Sequence, residues 1–394
     1  MKLFQRLLVA PAALGLLTPI AANATEVNLN EISNYSDVES IELVNSFDSN
    51  EPNKSLLLAG GEGLADSDSY DGGFSETTTA SFSADFAIGA VDGLDVTAAN
   101  ANTTGGNEAI EAYYGFQMDL TTSFTGEDTL AVSIDAGNSG GAATEFDLNG
   151  AVGGATDVLN VDGVSYTFPV GGATVMVGDN TDGSALFSTA CVYGGPSNTL
   201  DACGAISAPF SGSDTMIGAS YDFDNGFTVA VGYEGDGDTD GLLTDEGLDA
   251  YGFNAMYTGD TYGISLSYAT VEATTTTDDN FTALNAYWAP EGFPSISIGY
   301  EWGIDGSEVA AEDGLTSYFV GIQFDEVGPG TLGAALGPKV ATPEDGTEEL
   351  MYEIYYSYPV NDGMTITPLA YHKENATVGT PDETGFLLKT SFSF

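Results

Sequence analysis

From about residue 77 onward, apolar and polar residues alternate with the two-residue period of a β-strand that has one greasy and one wet face. The end of the chain shows this most clearly. Phe386, Leu388, Phe392 and Phe394 share one parity, while Leu387, Lys389, Ser391 and Ser393 take the other. The same pattern predicts strands over 77–90, 108–121, 129–137, 215–224, 226–234, 247–257, 261–271, 281–289, 293–302, 315–325, 330–337, 350–359, 363–372 and 384–394. Weaker signals over 163–170 and 172–177 bring the total to sixteen. Short turns, such as those at 224–226, 259–260, 290–292 and 361–363, alternate with long acidic stretches near 91–107, 138–162, 180–214, 235–246, 272–280, 303–314, 338–349 and 373–383.

Strict long-short alternation is what an all-β, transmembrane, antiparallel up-and-down barrel of about sixteen strands produces, with short periplasmic turns and long external loops. Charge parity supports this reading. Asp85, Glu111, Asp119, Asp135, Asp222, Glu234, Glu301, Asp325, Glu353 and Lys389 lie opposite the apolar parity, and the exceptions Glu108 and Asp249 sit at predicted rims. A basic side chain facing lipid at mid-membrane costs about 2–4 kcal/mol and an acid somewhat less, so a barrel must segregate its charges. The apolar face carries Phe116, Phe168, Tyr221, Tyr257, Tyr268, Tyr300, Trp302, Tyr356 and Phe394, many near strand ends as an interfacial girdle requires. The inward set Asp85, Glu111, Asp119, Asp135, Asp222, Glu301, Glu353 and Lys389 is therefore expected to line the pore. Closure should pair the last strand with the first, and counting back from Phe394 and Ala80 places Lys389 opposite Asp85. Pro368 forfeits a ladder hydrogen bond, and a bulge near it is the expected accommodation.

Lys2 and Arg6 precede an apolar run from Leu7 to Leu17 and a small-residue site at Ala22-Asn23-Ala24, which predicts a signal peptide over 1–24. Residues 25–76 are acidic, rich in Asn and Ser and weakly patterned, and read as a periplasmic extension before a barrel domain over 77–394. The formal charge is -53, and only Lys54, Lys339, Lys373 and Lys389 remain as cations after residue 24. Nucleic-acid binding through phosphate neutralisation is thereby excluded as a function class. Disorder of the whole chain is excluded by 20 Tyr and 21 Phe, while 51 Gly against 14 Pro suits many short strands and turns. Cys191 and Cys203 suit a disulfide in an oxidising compartment.

Several stretches resemble the major outer-membrane porins of unicellular marine cyanobacteria, a branch of the OprB-like carbohydrate-selective porins also called iron-uptake porins. They are TTTASFSADFAIGAVDGL (Thr77 to Leu94), VDGVSYTFPVGGATVMVGDNTDGSALFSTACVYGGPSNTLDACG (Val161 to Gly204), GASYDFDNGFTVAVGY (Gly218 to Tyr233) and DAYGFNAMYTGDTYGISLSYA (Asp249 to Ala269). The resemblance covers roughly residues 57–394. It implies a sixteen-stranded trimeric or monomeric barrel in the outer-membrane lipid, passing sugars, inorganic ions or iron species. It also implies a final aromatic, Phe394, read by the barrel-assembly machinery. Longer members carry a surface-layer-homology domain where this chain has only residues 25–76, so cell-wall anchoring does not carry over.

The long 180–214 loop holds both cysteines, and folded inward it would narrow the lumen. Closing the Cys191–Cys203 ring would add ~3 kcal/mol by chain entropy. Asp236, Asp238 and Asp240 form the D-x-D-x-D-G run of a calcium loop, but Glu246 falls one position short of the bidentate acid and strands flank the loop, so a solvated acidic loop is the simpler reading. No cofactor is expected, apart from divalent cations at such loops. His372 shares the apolar parity and has no Ser or carboxylate arrangement around it in sequence, which points to a rim position and against an enzyme. The expected function is passive diffusion of small hydrophilic solutes with a preference for cations. The alternatives are a non-conducting envelope barrel and a soluble acidic secreted β-protein.

Overall fold

The computed structural model describes residues 78–394 except 94–108, 139–144, 147, 149–156, 213, 238–240, 245–246, 275–276, 305, 307–313, 344–345 and 377–379. The expected signal peptide with Ala22 and Ala24, the 25–76 extension, Glu108, Asp238, Asp240 and Glu246 lie outside the described residues. The strands are β1 Thr79–Asp92, β2 Glu111–Thr122, β3 Thr129–Gly137, β4 Asn160–Val170, β5 Ala173–Asp179, β6 Thr215–Asp222, β7 Phe227–Gly235, β8 Asp249–Thr258 and β9 Tyr262–Thr274. They continue as β10 Thr277–Trp288, β11 Ser295–Ile304, β12 Leu315–Val327, β13 Gly330–Pro338, β14 Thr342–Pro343, β15 Leu350–Asn361, β16 Met364–Lys373 and β17 Glu383–Ser393. β14 is a two-residue strand that pairs with the start of β12. The other sixteen form one antiparallel sheet in sequence order, and β1 pairs with both β2 and β17, so the sheet closes without an edge. No helix among the described residues is long and apolar enough to cross a membrane, and full closure is how strands satisfy their backbone groups there.

The alternation sets the two faces. Along β1, Asp85 and Ala87 point inward and are 1% and 2% exposed, while Phe86 and Ile88 point outward at 54% and 47%. Around the barrel the outward band includes Val231, Ile264, Leu284, Ile298, Val320 and Ile354, all exposed and apolar. The aromatics Tyr221, Tyr300, Trp302 and Phe394 share that face and are exposed. At the short-turn end Phe82 and Phe394 exchange both backbone hydrogen bonds, at 2.9 and 3.0 Å, and their rings stack 5.7 Å apart. Both ends of the barrel sequence thus meet at one rim.

Three details differ from the sequence reading. The expected 272–280 loop is largely absorbed into β9 and β10, whose hairpin closes at Thr274 and Thr277. A run of Val and Thr in 270–277 favours extended backbone there. At the seam, Lys389 stands opposite Ala87 and Asp85 opposite Ser391, a slide of two residues from the expected pairing. A two-residue slide keeps every side chain on its face, so the hydrophobic pattern does not oppose it. Finally, Pro368 is not accommodated by a bulge. The β15–β16 pairing passes from Tyr355↔Leu369 to Tyr358↔Ile366 in one register, leaving the ladder open opposite Pro368, and the register shift lies at Pro359/Asn361.

Candidate functional site: the lumen and its inward loop

The connection between β5 and β6 folds into the barrel over residues 180–212 and is hydrogen-bonded to the inner wall from Gly183 to Ala208. Glu234 on β7 accepts the Gly183 amide at 2.6 Å, and Asn254 on β8 both accepts from the Ser188 amide and donates to its carbonyl at 3.0 Å. Ser265 on β9 accepts from the Ala190 amide at 2.8 Å, Ser297 on β11 from Val192 at 3.0 Å, and Gln323 on β12 from Gly194 at 3.0 Å. On the return limb, Asn285 on β10 donates to the Cys203 carbonyl at 2.8 Å. Glu301 on β11 accepts from the Ser207 and Ala208 amides at 2.8–3.0 Å. An irregular segment inside a barrel must satisfy its backbone groups from somewhere, and here the wall side chains supply the partners.

Two inward glycines make the close approach possible. A Cβ at Gly232 would collide with the Gly183 carbonyl, and one at Gly299 with that of Cys203. Cys191 and Cys203 are bonded to each other, with Cα atoms 6.4 Å apart. Beyond them, Tyr193 packs between Phe319 and Tyr355 at ring separations of 5.3 and 5.7 Å and donates to Glu353 at 2.7 Å. The cluster continues through Leu200, Met351, Leu369, Tyr371, Leu387 and Ala87, so the lumen beside β12, β13 and β15–β17 is packed with apolar side chains.

The opposite wall is different. Glu111, Asp119 and Asp135 face inward from β2 and β3, where Asp119 accepts from Ser133 at 2.6 Å and from Gln117 at 3.0 Å. A polar cavity of about 320 Å³ lies between the start of the inward loop and this wall, lined by Ser133, Asp162, Ser165, Asn180, Thr181 and Asp182. A second, of about 610 Å³, is bounded by the inward loop itself and includes Asp182, Thr189, Tyr193 and Asp201. Asp182 lines both. Asp182 keeps an exposed side chain, yet partial desolvation by the surrounding protein, reinforced by the charge of Asp162, raises its pKa above the ordinary carboxylate value.

All eight residues expected to line the pore have inward parity, but they fall into different settings. Glu301 and Glu353 are 2% and 4% exposed and are buried behind the inward loop as acceptors, not at a water-filled surface. Asp222 faces the open short-turn rim, where it accepts from the Asp224 amide at 2.9 Å. Asp85 and Asp135 point inward from β1 and β3 but are buried. Glu111, Asp119 and Lys389 remain partly exposed inside. The sequence reading passed over Asp162 and Asp182, and also the wall anchors Asn254, Ser265, Asn285 and Ser297. A row of inward small or amide residues on consecutive strands, together with Gly232 and Gly299, was the available signal.

The other candidates lie elsewhere. The carbonyl of Asp236 accepts from the Gly241 amide at 2.8 Å, and among the described residues no three His, Cys, Asp or Glu side chains are grouped to hold a metal ion. His372 faces outward near the long-loop rim, stacked on Tyr352 at 6.4 Å with Nδ1 3.0 Å from the Thr384 hydroxyl.

No family model matches the chain, and no curated protein matches it. Solved structures do. An engineered triple mutant of the porin of Rhodopseudomonas blastica superposes with a TM-score of 0.56 at 16% identity, covering 80% of this chain and all of that one. A second triple mutant of the same porin gives 0.56 at 15% identity with the same coverage. A structure described as an engineered protein of asymmetric conductivity gives 0.54 at 16% identity over the same share of each chain. At this identity the likeness establishes the architecture: the chain is a closed sixteen-stranded antiparallel barrel of the porin fold.

Proposed function

We propose that this protein is an outer-membrane porin through which small hydrophilic solutes diffuse passively, with cations preferred over anions. The observation that carries the reading is the contrast in fixed charge beside the water-accessible part of the lumen. Asp119, Asp162 and Asp182 lie there, while the lysines Lys339 and Lys373 are held by Glu349 and Glu145. Fixed charges lining a pore select ions by sign. Their reach is set by screening, with a Debye length of about 8 Å at 0.15 M salt and about 3 Å at 1 M. The apolar outer band suits outer-membrane lipid, the exposed terminal Phe394 suits recognition by the barrel-assembly machinery, and the resemblance to OprB-like porins of cyanobacteria suits sugars, inorganic ions or iron species as cargo. Export by cleavage after Ala24 and assembly as a homotrimer belong to the same proposal.

The test is a planar bilayer containing the purified protein. Reversal potentials under a salt gradient should report cation preference that weakens as salt rises, and sugars should reduce the ion current if they share the path. Anion preference at low salt would overturn the charge assignment. The apolar packing along β12–β17 favours a second reading, a barrel that conducts nothing and serves the envelope structurally. Complete absence of conductance in correctly inserted protein would select it.

A further inference from the structure

Glu145, Phe146 and Leu148, from the connection between β3 and β4, also lie inside the lumen, and a buried ion pair holds this short segment there. Glu145 and Lys373, the latter the last residue of β16, are 5% and 8% exposed and in direct contact. Glu145 makes two further contacts with the inward loop: its second carboxylate oxygen accepts from the Thr199 hydroxyl at 2.9 Å, and its carbonyl from the Asn198 amide at 3.1 Å. The next residue, Phe146, pairs with Ser197 as an antiparallel bridge, and Phe146 and Leu148 are buried in the same apolar cluster as Tyr193, Leu200 and Tyr371.

We propose that Lys373 and Glu145 form a latch that positions this segment and the return limb of the inward loop together against β16, and so sets the open cross-section of the pore. This rests on the porin reading. Two charges are taken out of water at this point in a chain with few cations, and a buried pair repays its desolvation only through close geometry and further hydrogen bonds, which Thr199 supplies here. Removing one partner leaves the other charged and buried. The packed position is then strongly destabilised, and the proposal expects the segment to move toward water and the side of the lumen it fills to open. Lys373 is thus a positioning residue, acting on the passage through Glu145.

The experiment compares the wild-type chain with Lys373→Met, Lys373→Arg and the double variant Lys373→Met/Glu145→Leu, all inserted in bilayers or detergent micelles. Heat-dependent electrophoretic mobility establishes that each barrel is closed. Lys373→Met should raise single-channel conductance, up to about twofold, and should admit sugars larger than wild type passes. It should also speed hydrogen exchange at the Asn198 amide. Lys373→Arg should restore both readouts, and the apolar double variant should restore them in part. If Lys373→Met folds and leaves both conductance and Asn198 exchange at wild-type values, the latch is wrong and the porin reading stands. If wild type does not conduct, the porin reading fails, and Asn198 exchange alone decides the latch. Should Lys373→Met not fold, Glu145→Gln with Lys373 retained replaces it under the same two criteria.

Discussion

Two sides of one lumen treat the carboxylate group in opposite ways. On the wall from β7 to β15, Glu234, Glu301 and Glu353 are buried and spend their oxygens on the inward loop, accepting from Gly183, from Ser207 and Ala208, and from Tyr193. On the wall from β2 to β4 and at the neck of the loop, Asp119, Asp162 and Asp182 lie beside hydrogen-bonding hydroxyls and polar space. Both groups face the lumen. What separates them is whether protein or water meets the carboxylate, and therefore whether it holds the constriction or supplies the field within it.

The largest effect should come from breaking the first side. Glu301→Ala removes the acceptor of two loop amides, and unsatisfied buried donors cost about 1–3 kcal/mol each. Faster hydrogen exchange at Ser207 and Ala208, with larger and noisier conductance, is the expected outcome. Unchanged exchange would mean that the wall does not hold the loop.

Changing the second side should alter selectivity without altering the loop. A charge about 4 Å from a passing ion is worth ~1 kcal/mol in water, so Asp119→Asn and Asp182→Asn should each lower the cation-to-anion permeability ratio by up to roughly fivefold. Glu353→Gln should leave that ratio near wild type, because its carboxylate faces Tyr193. Equal losses from the two would erase the distinction between the sides.

Acid sharpens the same comparison. The pKa of Asp182 is raised, so its charge is lost at a higher pH than that of an ordinary aspartate. Cation preference should therefore begin to fall above the usual carboxylate range as pH is lowered, and Asp182→Asn should remove that first phase. Asp128, in the β2–β3 turn, goes the other way. It accepts from Tyr166, Ser123 and Thr125 and from the Phe124 and Thr125 amides, which hold its pKa well below the usual range. A depressed folded-state pKa means that its stabilisation is fully present above the unfolded-state value near 4 and is lost as pH falls through the folded one. Asp128→Asn should flatten the acid limb of thermal stability.

The smallest effect should come from cutting the cystine. Cys191 and Cys203 are twelve positions apart, a ring worth about 3 kcal/mol to an otherwise free loop. Val192 is already tied to Ser297 and Cys203 to Asn285, so the loop is fixed on both sides of the bridge. Reduction should leave conductance close to that of the oxidised protein. A large change would show that the hydrogen bonds alone do not hold the loop.

The alternation of side chains determined the sixteen strands, their inward parity and the meeting of β1 with β17, because burial against lipid acts on every second residue and leaves a periodic trace in the chain. It did not determine which inward acids touch water. That depends on where Glu145, Phe146 and Leu148 and the inward loop over 180–212 run inside the barrel, and contacts such as Tyr193 with Glu353 or Glu145 with Lys373 join residues far apart in sequence with no local period to announce them. Register at the seam was open for a related reason. A slide of two residues moves Lys389 from opposite Asp85 to opposite Ala87 while every side chain keeps its face, so the hydrophobic pattern is blind to it, and only the closed sheet, with its turns and end contacts in place, decides.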